Sequence, residues 1–216
     1  MANILLTGFS PFDNELMNPS WEAVKQFESK AIMVEHLVHT VQLPCEFGTA
    51  ISLLQEKIAE LQPEVVICVG QAGGRAEISL ERVAINVDDA RIPDNAGAQP
   101  VDQAIAQDGP AAYFTSLPIK AIVKKLRDEG IPANVSQSAG TYVCNHVFYG
   151  LMHTASKNTN IQRAGFVHIP YLPNQAANHP GAPSLSLENA VTAIALLLET
   201  TLSQRQDIQL STGSIC

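Results

Sequence analysis

The chain has 216 residues, 46% of them apolar, and a formal net charge of −8, with its 13 Lys and Arg scattered thinly. That length and apolar content suffice for one well-buried core, so a single domain over residues 1–216 is expected. Sparse basic charge argues against nucleic acid or an anionic membrane surface as the main partner, because both demand clustered positive charge.

The opening MANILLTGF lacks the basic start and long apolar core of a secretory signal. No apolar run approaches the ~20 residues needed to cross a bilayer. A soluble, cytoplasmic protein is the expectation. Ile4–Thr7 ends at Gly8 and reads as a buried strand. Asn18-Pro19-Ser20 reads as a helix start, with Trp21, Val24 and Phe27 at helical spacing. Residues 33–43 alternate like a strand, and residues 47–61 carry Ile51, Leu54 and Ile58 on one helical stripe. Val65–Val69 is continuously apolar, as in a strand covered on both faces, and stops at Gly70. A helix follows Pro118 and closes at Gly130; strands are expected near 134–137 and 165–169. A last helix spans about 186–202, with Val191, Ile194 and Leu198 on its stripe, and residues 205–216 read as a loose tail.

This alternation implies an α/β/α sandwich around a mixed, mostly parallel twisted sheet. Ligands on such sheets sit at the carboxyl ends of the strands. One segment breaks the pattern. Residues 88–109, DDARIPDNAGAQPVDQAIAQDG, form a long polar loop of the kind that covers a site or mediates assembly.

The four cysteines, Cys45, Cys68, Cys144 and Cys216, have no CxxC pairing, so four free thiols are expected. Cys144 differs in its setting. Val147, Phe148, Leu151, Met152 and Ala155 follow it on one helical face, which puts the sulfur near a helix start. First-turn N–H groups and the helix dipole favour a thiolate there, below the ~8.5 of a free thiol. The alternative is a small buried apolar residue.

A thiolate nucleophile needs an imidazole. His36 and His39 lie on a surface-like strand, His179 in a polar loop, and His153 far along the Cys144 helix. His146 is two residues on, roughly 200° around a helix, and faces elsewhere. His168 ends the run GFVHIP at the carboxyl end of a strand, where such sites collect; a backbone-bonded strand histidine is the alternative. If residues 78–87 form one strand, Glu81 shares a face with Val83, Ile85 and Val87. A carboxylate buried there needs a partner. An imidazole that must keep one tautomer fits, although Arg75 or Arg91 could pair with it instead.

The blocks TGFSPFDNELMNPSW, ICVGQAGGRAEISLERVAINVDDARIPDNAG, GTYVCNHVFYGLMH and GFVHIPYLP resemble pyroglutamyl peptidase type I, and the likeness runs from Ile4 to about Leu198. The resemblance implies a cysteine peptidase with a Cys144–His168–Glu81 triad, cleaving N-terminal pyroglutamate from peptides. It also implies a homotetramer and a pocket built from Phe9 and Phe12 of the first loop, Gln71, Ile92, Tyr142 and Val143. Asn18 and Gln71 could hydrogen-bond a ligand or cap backbone, and Arg91 could assist the oxyanion or anchor its loop. Tyr142 stands where the family more often carries phenylalanine. No cofactor or metal is expected, since HExxH and clustered His/Asp ligands are lacking; Asp88, Asp89 and Asp94 are expected to serve the loop. Two rival readings are a nucleoside phosphorylase-like enzyme, with GQAGGR (70–75) as phosphate cradle, and a non-catalytic small-molecule binding protein in which Cys144 is merely packed.

Overall fold

The computed structural model describes residues 2–28 and 36–213. Strand β1 (Asn3–Phe9) points Ile4 and Leu6 to one side of the sheet and Leu5 to the other, the period-2 alternation of a strand buried on both faces. Helix α1 (Pro19–Val24) begins as its sequence dictates: proline occupies the first turn, and Asn18 Oδ1 accepts the Ser20 N–H at 3.1 Å. Gly8 lets that helix approach, because a Cβ there would lie 2.7 Å from Trp21 backbone.

Strand β2 (Leu37–Leu43), helix α2 (Thr49–Leu61) and strand β3 (Val65–Gln71) follow. Residues 33–35 of the expected second strand, and Cys216, lie outside the described residues. The next strands are β4 (Ile78–Glu81), β5 (Val83–Ile85) and β6 (Ala112–Phe114). Then come α3 (Ile119–Asp128), β7 (Ala133–Ser136), α4 (Val143–Lys157), β8 (Arg163–Ile169), the single turn α5 (Pro173–Ala176) and α6 (Leu187–Ser203).

Six strands form one sheet in the order β2-β1-β3-β8-β4-β7, and β5 pairs with β6 in a separate ribbon. Every pairing in the large sheet is parallel except β4 against β8. Helices α1, α3 and α6 cover one face and α2 and α4 the other, which completes the α/β/α sandwich. Both faces of β3 are covered, and all seven of its residues are buried.

Two expectations change. Residues 78–87 are not one strand: after Glu81 the chain leaves the sheet. The Arg82 N–H donates to Ser136 O at 2.9 Å and Arg82 O accepts from Thr115 N at 3.0 Å, which turns β5 out to pair with β6. Glu81 therefore does not share a face with Val83, Ile85 and Val87. The segment after Ser203 has no helix or strand through Gly213, yet Asp207 docks on α3, which has a proline and no capping side chain at its start. Its carboxylate accepts the Ala121 N–H at 2.9 Å and the Lys120 N–H at 3.1 Å. The long loop braces itself. Asp94 Oδ1 accepts from Ala96 N and Ala98 N, while its Oδ2 accepts the Phe47 N–H at 2.7 Å.

Candidate active site

The antiparallel step between β4 and β8 creates the central pair. Ser79 lies opposite His168 and Leu80 opposite Val167, so Glu81 and His168 are diagonal neighbours on the face covered by α4. His168 Nδ1 and Glu81 Oε1 are 2.7 Å apart, with the carboxylate fully buried and the imidazole 4% exposed. A carboxylate only accepts, so Nδ1 carries the proton and Nε2 presents its lone pair. The Phe166 ring lies 4.9 Å from the imidazole and fixes its other side.

Arg75, from the loop between β3 and β4, joins the pair. Its Nη1 reaches the same Oε1 at 2.6 Å and Ser136 Oγ at 3.3 Å, and its Nη2 donates to Ser138 O at 3.0 Å. Burial pushes the Glu81 carboxyl up. The hydrogen bond and charge of His168, the Ser136 hydroxyl and the Arg75 charge outweigh that and hold it below the usual carboxylate range. Both partners weighed for Glu81, an imidazole and Arg75, are thus present together.

Cys144 is the second residue of α4, as its position in the sequence suggests. Gly70 faces it across the sheet: a Cβ at residue 70 would sit 3.0 Å from Cys144 Sγ and 2.8 Å from the Phe166 ring. Gly70 is also the residue paired with His168 in the β3–β8 register. A glycine at this end of β3 leaves room for the sulfur, one strand over from β8, which carries the imidazole.

The expectation of a lowered thiol is overturned. Burial, the largest influence, pushes Cys144 well above its ordinary value; the Cys45 and Glu81 charges add to it and Arg75 opposes them. Magnitudes explain why. A helix start contributes about 0.3–1 kcal/mol, less than one pH unit, and desolvation of the half-buried sulfur outweighs it. No side chain caps the start of α4, so its first-turn N–H groups are available to a developing negative charge.

Aromatic rings gather beside the start of α4. Tyr142, immediately before α4, lies 6.1 Å from Phe12 and edge-on to Phe47 at 5.5 Å, and its hydroxyl donates to Pro93 O at 3.1 Å. Phe12 is half-buried in the first loop. Phe9 is not in that loop: it ends β1, and its ring is buried 6.2 Å from Phe166. Val143 is fully buried under α4, Ile92 is half-buried, and Arg91 is exposed. Gln71 ends β3 and its Oε1 accepts from Gln175 Nε2 at 3.2 Å. Asn18 spends its Oδ1 on Ser20, through both N–H and hydroxyl, and its Nδ2 on Ser10 O.

His146 points away from Cys144 and pairs with Asp88 at 2.7 Å; its Nε2 accepts the Gly48 N–H. His153 bonds Tyr113, and His179 bonds Glu15. Among the described residues, Cys45, Cys68 and Cys144 are free thiols, and no cluster of three or more His, Cys, Asp or Glu could hold a metal ion. The guanidinium of the GQAGGR segment is committed to Glu81, which leaves that segment without the cation a phosphate cradle needs. Arg75 and Phe47 are the site residues that sequence reasoning did not select. In the sequence Arg75 stands only as a rival to the imidazole, and Phe47 only within residues 47–61, whose helix starts at Thr49.

An imidazole oriented by an anion, a thiol over the register partner of that imidazole, and uncapped N–H groups are parts that nucleophilic acyl transfer uses. Comparisons with known proteins agree in kind. A family model for pyroglutamyl peptidase matches residues 2–204. Pyrrolidone-carboxylate peptidase 1 of Ralstonia nicotianae is 56% identical over 215 residues, and that of Cupriavidus taiwanensis 56% over 216, each comparison covering 100% of both chains. A crystal structure of pyroglutamyl peptidase I from Bacillus amyloliquefaciens matches with a TM-score of 0.92 at 50% identity, over 96% of this chain and 100% of that one. A mutant pyrrolidone carboxyl peptidase from Pyrococcus furiosus matches at 0.89 and 40% identity, over 93% of this chain and 98% of that one. Matched along nearly all of its length in both sequence and fold, the chain belongs to the pyroglutamyl peptidase family.

Proposed function

We propose that this protein is a cysteine exopeptidase that hydrolyses the N-terminal pyroglutamyl residue from peptides through a thioester. One observation carries the reading: the Glu81–His168 pair lies on the face where Cys144 Sγ rests over Gly70, the register partner of His168. His168 Nε2 takes the Cys144 proton as Sγ attacks the pyroglutamyl carbonyl. The Cys144 N–H, first-turn and uncapped, holds the oxyanion. His168 then gives its proton to the departing amine, and the C–N bond breaks to leave a thioester. A water deprotonated by the same nitrogen cleaves the thioester, frees pyroglutamate and restores the thiol. Glu81 keeps Nδ1 protonated throughout.

Pyroglutamate is a neutral lactam with no ammonium to neutralise. Phe12, Phe47 and Tyr142 supply flat apolar walls of the kind such a ring needs. In this reading Gln71 is the hydrogen-bonding group, Ile92 and Val143 are further apolar lining, Phe9 is support beneath, and Asn18, committed to Ser20 and Ser10, holds the start of α1.

Cytoplasmic residence is supported by the three free thiols, and no helix of the described residues is long and apolar enough to cross a membrane. A homotetramer is supported by large apolar side chains left in solvent, Phe114 at 71% exposure and Val101 at 64%; light scattering tests it. The decisive assay is chromophore release from a pyroglutamyl amide beside its free-amine glutamyl and prolyl analogues. Turnover of the lactam alone is expected, and Cys144→Ser is expected to abolish it without altering the fold. Equal turnover of the analogues, or an active Cys144→Ser variant, would refute the reading.

A further inference from the structure

Arg75 raises a question that a triad alone does not answer. The buried Glu81 carboxylate has two oxygens, and both strong donors use one of them. His168 Nδ1 and Arg75 Nη1 meet at Oε1, at 2.7 and 2.6 Å, while the buried Oε2 has no hydrogen-bond partner among the described residues. A cation needed only to neutralise a buried charge could sit on either oxygen. This one sits on the oxygen that holds the imidazole. The same guanidinium reaches Ser136 Oγ, at the end of β7, and Ser138 O, in the loop that leads into α4. One planar group thus links β4, β7 and the segment immediately before Cys144, a task suited to the rigid multiple donors of arginine and not to a single ammonium.

We propose that Arg75 is a positioning residue of this site: it ties the orienting carboxylate to the loop that leads into the helix of the nucleophile and sets how much negative charge the imidazole faces. It touches neither substrate nor reacting atoms. The proposal rests on the peptidase reading above, and it adds a residue to that machinery. Its charge acts on every proton held nearby. Facing the cluster are His168 from β8, Glu81 from β4, Cys144 from α4, Cys68 from β3 and Cys45 from the loop after β2. With Arg75 present, the negative charge at Oε1 is shared, so the imidazolium that forms during attack is stabilised less than by a bare carboxylate. Without it, protons bind the Cys144–His168 pair more tightly, and both edges of the pH–rate profile move the same way, to higher pH.

The test uses the full chain and two readouts. The first is the pH dependence of kcat and KM on a pyroglutamyl amide; the second is the pH dependence of Cys144 alkylation by iodoacetamide, read at that residue by peptide mapping. Arg75→Gln is expected to shift both limbs of the profile, and the alkylation curve with them, upward by about one pH unit, with KM held within about twofold. Arg75→Lys keeps the charge, so its limbs stay at the wild-type pH, but it cannot span Glu81 and Ser138 at once, so kcat falls while KM holds. Limbs and alkylation curve unmoved in a folded Arg75→Gln overturn the proposal. If that variant does not fold, a wild-type kcat in Arg75→Lys overturns it. The alkylation curve needs no peptide substrate: an enzyme that fails on pyroglutamyl amides would sink the peptidase reading and still leave the role of Arg75 decided.

Discussion

Gly70→Ala adds one methyl group where three elements of the site converge. The backbone at residue 70 lies outside the left-handed region, so alanine introduces no conformational strain and the effect is steric. The new Cβ would lie 2.8 and 2.9 Å from Phe166 ring carbons and 3.0 Å from Cys144 Sγ, against about 3.5–4.0 Å for ordinary contact. Something must recede by roughly 0.5–1 Å. Phe166 cannot swing aside, because it is fully buried with Phe9 at 6.2 Å, Phe148 at 5.8 Å and the His168 ring at 4.9 Å. The strain therefore falls on the sulfur and on the β3–β8 spacing. Overpacking of this kind costs about 1–3 kcal/mol of stability, and a reacting atom displaced by ~1 Å loses on the order of 100-fold in rate. Urea unfolding reads the first quantity, and kcat/KM on a pyroglutamyl amide reads the second. A folded Gly70→Ala with kcat/KM within about threefold of wild type would refute the placement of Cys144 over the strand.

Two further outcomes are expected. Asp207→Ala removes the cap of α3, two N–H bonds made by a residue 86 positions from Ala121, and should lower stability by about 0.5–2 kcal/mol; an unchanged urea midpoint would show that the segment after Ser203 does not dock. Cys68, buried in β3, has its thiol pushed from 9.0 up to about 12, with desolvation by burial as the largest cause. A raised folded value gives stability that is complete below the unfolded value and lost as pH climbs through the folded one. The difference of 12 − 9.0 corresponds to about 4 kcal/mol at 1.36 kcal/mol per pH unit. Cys68→Ala should therefore show a flatter fall of the unfolding free energy from pH 9 upward than wild type, and parallel curves would contradict that origin.

Sheet and helices were readable because their signals are local. The apolar run Val65–Val69, the Asn18-Pro19-Ser20 start and the stripe after Cys144 each depend on a few adjacent residues. The parting of β4 from β5 was not readable. It depends on backbone bonds from Arg82 to Ser136 and Thr115, both distant in sequence, and the alternating residues 78–87 give no break signal. At the site, Glu81 was selected for the right reason, a buried carboxylate that needs a partner, but from a strand face that does not exist. Its diagonal relation to His168 comes from the one antiparallel pairing in the sheet, which no residue pattern announces. The thiol failed differently. A helix start is visible in sequence and desolvation is not, so the weaker influence was read and the stronger one missed. Arg75 carries no signature of its own, since whether an arginine bridges a carboxylate or faces water is decided by folding.

The central claim is that Cys144 Sγ takes the acyl group. The most direct measurement is rapid acid quench of the wild-type enzyme during turnover of a pyroglutamyl ester, followed by proteolysis and mass mapping of all four cysteines. A pyroglutamyl adduct on the peptide that carries Cys144, formed and lost at the rate of turnover, is the expected result. Turnover with that peptide unmodified, or with the adduct on Cys45 or Cys68, would contradict the account.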